Sequence, residues 1–428
     1  MREVIRTEKY IMRPDDPYYE QMDQMCFNAK NLYNQSNYIV RQEFIKSGKW
    51  IRYEELDAIT KEIEDYPDYK KMPGAQSAQQ TLRQLDRDWS SFFKAIKDWK
   101  AHPEKYLGRP NLPKYKHKEK GRCVLYVTNQ CAKVDGTRIK FPKTFNGYEL
   151  DPLCIRRKGF KKINQVTFVP KNRYIEVEVV YTIEIGDLMK DNGRYLGVDL
   201  GIDNLAAIGN NFGQRPKIIN GKGLKSENAY YNKMISNLRS LAKVCNDKNF
   251  TNRMYRLTNK RDMIIEDFMH KASRWLVNYA KENDVSVIII GKNKGWKQSV
   301  SLGKHNNQNF VGIPFNRFIE MVQYKAEELQ IRVELVEESY TSGTSFIDNE
   351  LPIKKNYDKS RRKTRGQFIS NSGVMINADV NSSYQMIKKV FGGSAFTNVE
   401  NSIEGKAFYP EIINVCPMHR SKAKLLVV

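Results

Sequence analysis

Tyr195-Leu-Gly-Val-Asp-Leu-Gly-Ile-Asp-Asn204 decides how the second half of this chain is read. It is an apolar strand carrying one carboxylate, Asp199, between Val198 and Leu200 and flanked by Gly197 and Gly201. A charge in that setting is costly unless it is paired or holds a metal. The small glycines would let a metal and a phosphate approach the backbone closely. A strand-end Asp capping a turn is the plainer alternative, and Asp203 has the stronger claim to that role.

Two further acidic motifs lie downstream. Val333-Glu-Leu-Val-Glu-Glu-Ser-Tyr-Thr-Ser342 ends a strand with Glu337 and Glu338 side by side. Adjacent strand residues face opposite ways, so only one of them enters a shared site. Glu338 is favoured because it abuts the Ser-Tyr-Thr-Ser turn, and periodicity leaves Glu337 open. Ile376-Asn-Ala-Asp-Val-Asn-Ser-Ser-Tyr384 opens a helix in which Asn377 and Asp379 both suit N-terminal capping. Capping explains one of them; taken with Asp199, metal binding explains the other. Carboxylates gathered by folding can hold two divalent metals, a standard means of cutting a phosphodiester.

Outward from Asp199 the order is α/β. Strand Tyr195–Ile208 is expected to pair with a strand near Pro216–Ile219, followed by a long helical segment over Ser226–Glu282 and a buried strand over Val285–Ile290. Helix Asn316–Leu329, strand Arg332–Val336 and helix Ala378–Val390 complete a ribonuclease H-like layer fold.

The first half reads differently. Residues 1–13 form a short strand, and Met22, Met25, Ala29, Leu32 and Tyr33, then Leu82, Leu85, Trp89, Phe92 and Phe93, recur at helical spacing. From Gly108 short alternating runs separated by turns such as Asp135-Gly136 and Asn146-Gly147 predict a small antiparallel barrel or sandwich. Polar Gly186–Gly193 reads as a linker.

Composition narrows the function. In 428 residues, 72 Lys and Arg face 49 Asp and Glu, a net charge of +23 that calls for a polyanionic partner. Trp99–Arg122 holds eight basic residues against two Glu, and Lys354–Arg365 seven against one Asp. Arg156-Arg-Lys with Lys161-Lys162 adds a third cluster. Three such clusters beside a metal site point to nucleic-acid backbones, and some of the 24 tyrosines to stacking on unpaired bases. No long apolar run or basic amphipathic anchor points to a membrane. Six scattered cysteines without a CxxC pair argue against a disulfide framework and a structural zinc, and fit a reducing cytosol. The N-terminus lacks a signal-peptide core, so a cytoplasmic location is expected. The five histidines are isolated, and no Ser-His-Asp set or phosphate-binding glycine loop stands out.

Taken with their surroundings, the acidic motifs resemble the RuvC-type domain of the TnpB family, transposon-encoded RNA-guided DNA nucleases related to type V CRISPR effectors. Gly197-Val-Asp-Leu-Gly-Ile-Asp-Asn-Leu-Ala206 is similar to the first RuvC motif and Asn377-Ala-Asp-Val-Asn381 to the third. Gly291-Lys-Asn-Lys-Gly-Trp-Lys-Gln298, Asn307-Gln-Asn-Phe310, Ile313-Pro-Phe and Tyr340-Thr-Ser also match. In the first half, Leu32-Tyr-Asn, Trp89-Ser-Ser-Phe-Phe93 and Gly108-Arg-Pro-Asn-Leu-Pro-Lys-Tyr115 resemble recognition and wedge regions.

The resemblance implies a multidomain α+β and α/β fold. Residues 1–17 and 100–186 would form a β-barrel wedge around a helical recognition domain at 18–99. A linker at 187–193, a nuclease domain at 194–400 and a tail at 401–428 would follow. It also implies a guide RNA, target double-stranded DNA, and two Mg²⁺ ions on Asp199, Glu338 and Asp379. Two departures stand out. Where family members usually carry the second catalytic Glu, this chain has Gly291; a subset takes that carboxylate from the next strand, which implies Glu338 with Glu337 as fallback. The 343–375 insertion lacks the CxxC pairs of many relatives, so no zinc is expected. Two other readings are a nuclease-inactive, RNA-guided DNA-binding repressor, suggested by Gly291, and a guide-independent structure-specific nuclease.

Overall fold

The alternating N-terminal run forms strand β1 (Arg2–Met12), and the helical spacing after it forms α1 (Tyr19–Ser47), α2 (Tyr53–Glu62) and α3 (Ala75–Ala101). These belong to a computed structural model describing residues 1–65, 67–246, 250–293, 312–364, 366–397 and 409–416. The architecture is mixed α/β in two units, Met1–Ile185 and Gly186–Val428.

In the first unit, β2 (Leu125–Thr128), β3 (Lys133–Asp135), β4 (Arg138–Lys140), β5 (Glu149–Leu150), β6 (Phe160–Lys171) and β7 (Tyr174–Ile185) make two antiparallel sheets. Their orders are β1-β7-β6-β2 and β3-β4-β5. Every second residue of β7 is buried over most of its length, the pattern of a sheet with one face on the core. Trp89 of α3 is fully buried, donates its indole N–H to Asn37 Oδ1 at 3.1 Å and meets Phe44 of α1 edge-on. That contact locks the helical pair.

In the second unit, the expected strand Tyr195–Ile208 is a hairpin. β8 (Tyr195–Leu200) turns at residues 201–203 into β9 (Asn204–Asn210), which pairs with β10 (Lys217–Asn220). The long helical segment is likewise two helices, α4 (Lys222–Asn246) and α5 (Asn252–Glu282), the second capped by the Thr251 hydroxyl. Then come β11 (Val287–Gly291), α6 (Phe315–Glu328), β12 (Arg332–Val336), the small sheet β13 (Arg362–Thr364), β14 (Gln367–Ile369), β15 (Met375–Asn377), and finally α7 (Ala378–Phe391) and β16 (Glu411–Ile413).

The main sheet runs β12-β11-β8-β9-β10-β16. β8, β11 and β12 are parallel. β11 is buried throughout, as a strand covered on both faces must be, and its sequence is accordingly unbroken Val-Ile-Ile-Ile-Gly. Residues 186–194 carry no regular structure yet are tied down: Met189 N–H donates to Gln330, and the Asn192 amide to Asp284. The linker is thus packed on the second unit. Motif residues 294–298 and 307–310, and tail residues 401–408 and 417–428, lie outside the described residues.

Candidate active site

Asp199 and Asp379 meet because β8 and α7 pack unusually closely. Gly197 of β8 stands opposite Gly209 of β9. A Cβ on Gly197 would overlap the Ser383 carbonyl oxygen, and one on Gly209 would lie 2.6 Å from Ser383 Oγ. The pair is a notch for α7, so Gly197 serves helix packing rather than the approach of a phosphate. Gly201 belongs to the hairpin turn, where a Cβ would crowd the Asn204 carbonyl.

Capping at α7 divides the labour between its two candidates. Asn377 Oδ1 accepts from the backbone N–H groups of Asp379 and Val380, both at 3.1 Å. The Asp379 carboxylate is therefore spent elsewhere. It accepts from Asn204 Nδ2 at 2.8 Å and from the Arg362 guanidinium at 3.2 Å.

The third carboxylate arrives past a strand end. Ile290 is level with Val198, and Gly291 with Val336, so Asp199 and Gly291 end neighbouring parallel strands at the same height. Ligands of parallel α/β sheets bind outside these carboxyl ends. Glu338, two residues beyond Val336, turns back over Gly291. A Cβ on Gly291 would lie 2.6 Å from Glu338 Oε1 and 2.7 Å from its Cγ. The space beside the missing side chain at 291 is the space Glu338 fills. Glu337 is exposed.

The Glu338 turn is fixed from several sides. Asn293 Nδ2 donates to Glu338 Oε2 at 2.8 Å, while Asn293 Oδ1 accepts the Glu338 N–H at 3.0 Å. Lys389 of α7 donates to the carbonyls of Glu337 and Ser339, and the Thr341 hydroxyl to that of Glu338. Tyr340 takes a left-handed φ of 69°, a conformation an aromatic residue adopts only when its surroundings impose it.

Asp199, Asp203, Asn204, Asn293, Glu338, Arg362 and Asp379 thus line one cleft. Asp203 is bound to Lys225 at 2.7 Å, in keeping with a structural role at the turn. Burial pushes the Asp199 carboxyl well above the usual carboxylate range, the charges of Asp379 and Glu338 add to this, and Arg362 opposes it. Burial pushes Glu338 up to about 7, against the hydrogen bond from Asn293.

Among the described residues, no three His, Cys, Asp or Glu side chains are gathered into a ready-made metal cage. The cleft still fits a hard divalent cation. Its donors are carboxylate oxygens, and Glu338 Oε1 is buried without a hydrogen-bond partner. Burial raises Asp199 most, and the charges of Asp379 and Glu338 that add to it are what a bound cation would relieve.

A stability test follows from the raised Glu338. Its proton is held more tightly in the folded state, so its contribution is complete below the unfolded value of 4.5 and is lost as pH rises through about 7. The loss is about 3 kcal/mol. In chelator at pH 8, Glu338→Gln should therefore melt several degrees higher than the wild type, and the two should converge near pH 4.5. Thermal melts across that range check this; a less stable variant at pH 8 would contradict it.

Asn204, Asn293 and Arg362 escape a reading of sequence alone. Asn204 and Asn293 stood inside motifs without a chemical reason to select them, and Arg362 was one of seven cations in a basic run. Only pairing of β13 with β14, and of β14 with β15, brings it back beside Asp379.

The basic stretches differ in how free they are. Backbone at Pro113–Lys118 is pinned to α1: Asn34 donates to and accepts from Lys116, Asn37 and Arg41 donate to the Pro113 carbonyl, and Lys30 donates to Lys118. Lys114, Lys116, Lys118 and Lys120 are exposed along this ribbon. By contrast Arg156, Arg157 and Lys161 are engaged by Asp151, Tyr181 and Glu184. No described helix is long and apolar enough to cross a membrane.

Residues 176–297 match the family OrfB_IS605, described as a probable transposase, and residues 315–386 match the Cas12f1-like TNB domain. No curated protein matches. Among solved structures, a Cas12f1–sgRNA–target DNA complex is similar at 13% identity, covering 89% of this chain and 98% of that one, with a TM-score of 0.35. A CRISPR-Cas12f ternary complex follows at 12% identity, 86% and 81% coverage and the same score. Alicyclobacillus acidoterrestris C2c1 with single-guide RNA is similar at 9%, covering 87% of this chain and 66% of that one, with a TM-score of 0.35.

Proposed function

Because this chain belongs to the TnpB family, we propose that it is a transposon-associated, RNA-guided DNA endonuclease that cuts beside a short target-adjacent motif. The observation carrying this reading is the convergence of Asp199, Glu338 and Asp379 on one cleft at the carboxyl ends of parallel strands. The sheet order, with its antiparallel β8–β9–β10 and parallel β8–β11–β12, supports a ribonuclease H-like nuclease domain in residues 194–400. Residues 18–99 are the recognition helices, and 1–17 with 100–186 the wedge.

Asp199, Glu338 and Asp379 would hold two Mg²⁺ ions. When bound, such a pair supplies Lewis acidity toward both the attacking water and the leaving oxygen of a phosphodiester. The remaining work belongs to the chain. Asn204 and Arg362 orient Asp379, and the guanidinium brings positive charge to where a scissile phosphate would lie. The lysine ribbon at 114–120 suits a sugar–phosphate backbone, whose A-form shape rather than sequence the protein would read. Sequence would then be read by pairing with the guide.

The test is to co-express the chain with the DNA flanking its gene, purify the complex, identify its RNA, and digest a guide-matched plasmid library with randomised flanks in Mg²⁺. Flank-restricted cutting is expected. Binding without cutting favours the repressor instead, and cutting that survives ribonuclease treatment favours a guide-independent nuclease.

A further inference from the structure

We propose that Asn293 is a positioning residue for Glu338, the clamp that makes a carboxylate on a turn serve where a strand-borne one would otherwise stand. The proposal rests on the reading of Glu338 as a metal ligand and goes beyond it by assigning what holds that ligand in place.

Glu338 lies beyond the last ladder pair of β12, so no strand neighbour fixes its backbone. A glutamate side chain left free loses up to about 2 kcal/mol of rotamer entropy when it must adopt one geometry. Asn293 meets that cost at two points. It lies two residues beyond Gly291 on the adjacent strand, accepts from the Glu338 N–H and donates to Glu338 Oε2. A side-chain amide can do both at once, because it carries an acceptor and a donor on one planar group. Aspartate at this place would offer no donor, and glutamine would overreach by a methylene.

The consequence is a division between the two oxygens. Oε2 is occupied by Asn293, while Oε1 is buried and has no hydrogen-bond partner. The amide thus leaves one oxygen uncommitted, aimed across Gly291. Lys389 and Thr341 brace the carbonyls of residues 337–339 and leave the carboxylate alone. Among the described contacts, orientation of the acid itself falls to Asn293.

The experiment titrates Mn²⁺ into the full-length chain freed of nucleic acid, reading free Mn²⁺ by electron paramagnetic resonance. Wild type, Asn293→Ala, Glu338→Ala and the double variant are compared, with melting in chelator as the check on folding. Loss of a residue that orients a ligand typically weakens metal binding about 10- to 100-fold, and that is expected of Asn293→Ala. In the Glu338→Ala background the same change should cost nothing more, since its effect passes through Glu338. Unchanged Mn²⁺ affinity in Asn293→Ala, or a loss that adds fully to that of Glu338→Ala, overturns the proposal while leaving the site intact. Unchanged affinity in Glu338→Ala overturns the metal reading, and the proposal with it. Should Asn293→Ala not fold, Asn293→Leu, close in size but with neither donor nor acceptor, takes its place under the same criteria.

Discussion

Alanine at Asp199, Glu338 or Asp379 is expected to slow guided DNA cleavage by at least about a thousandfold, while target binding stays within about threefold of wild type. Binding would draw on guide pairing and on basic surfaces of which, among the described residues, only Arg362 contacts one of these acids. On the proposed mechanism cleavage needs all three carboxylates. Burial raises Asp199, the charges of Asp379 and Glu338 add to it, and a bound cation would offset that added charge. Asp379 also holds an ion pair with Arg362, which is lost when the acid is removed. Cleavage rates on a matched plasmid, beside binding measured in Ca²⁺, check the expectation. Persistent cleavage by both aspartate variants would remove the assignment. Full activity in Glu338→Ala with loss in Glu337→Ala would move the second ligand by one residue.

The second large effect is expected at a residue without a side chain. Gly291→Ala should reduce cleavage about a hundredfold or more, because the added methyl lands 2.6 Å from Glu338 Oε1 and 2.7 Å from its Cγ. Met386 also crowds the position, but the end of its flexible side chain can move aside. Glu338 is instead held at its N–H and at Oε2 by Asn293, so yielding to the methyl would break that pairing. Relief at the methionine, Gly291→Ala with Met386→Ala, should therefore fail to restore cutting, whereas Gly291→Ala should add nothing to Glu338→Ala. Single-turnover cleavage of the four variants decides it. A fully active Gly291→Ala would mean that the glutamate works from some other position.

Much of this site was legible before folding was considered, and the reason is chemical. A carboxylate inside Val198-Asp199-Leu200 has few bland explanations, and Asn377 before Asp379 announces a helix cap. What stayed hidden depends on tertiary proximity. Gly197 was assigned a role toward phosphate because nothing local reveals that Ser383 needs the same space. The run Tyr195–Ile208 was taken as one strand, although Gly201-Ile-Asp-Asn204 holds turn formers that the hairpin uses. The run over Ser226–Glu282 was read as one helical segment, so α4 and α5 merged; Thr251, the N-cap that starts α5, was the available boundary signal. Arg362 was indistinguishable from its basic neighbours until the small sheet set its register.

The order of the carboxylates along the chain also has a bearing on biosynthesis. Asp199, Glu338 and Asp379 enter in that sequence, and the last rides on a helix that must seat in the Gly197–Gly209 notch. A ribosome reaches it only after every basic stretch of the first unit has been made. On the proposed function, a polypeptide interrupted between the first unit and Asp379 would carry the lysine ribbon at 114–120 but lack the third carboxylate. Under the proposed function, such truncated products would compete for guide and target without cutting.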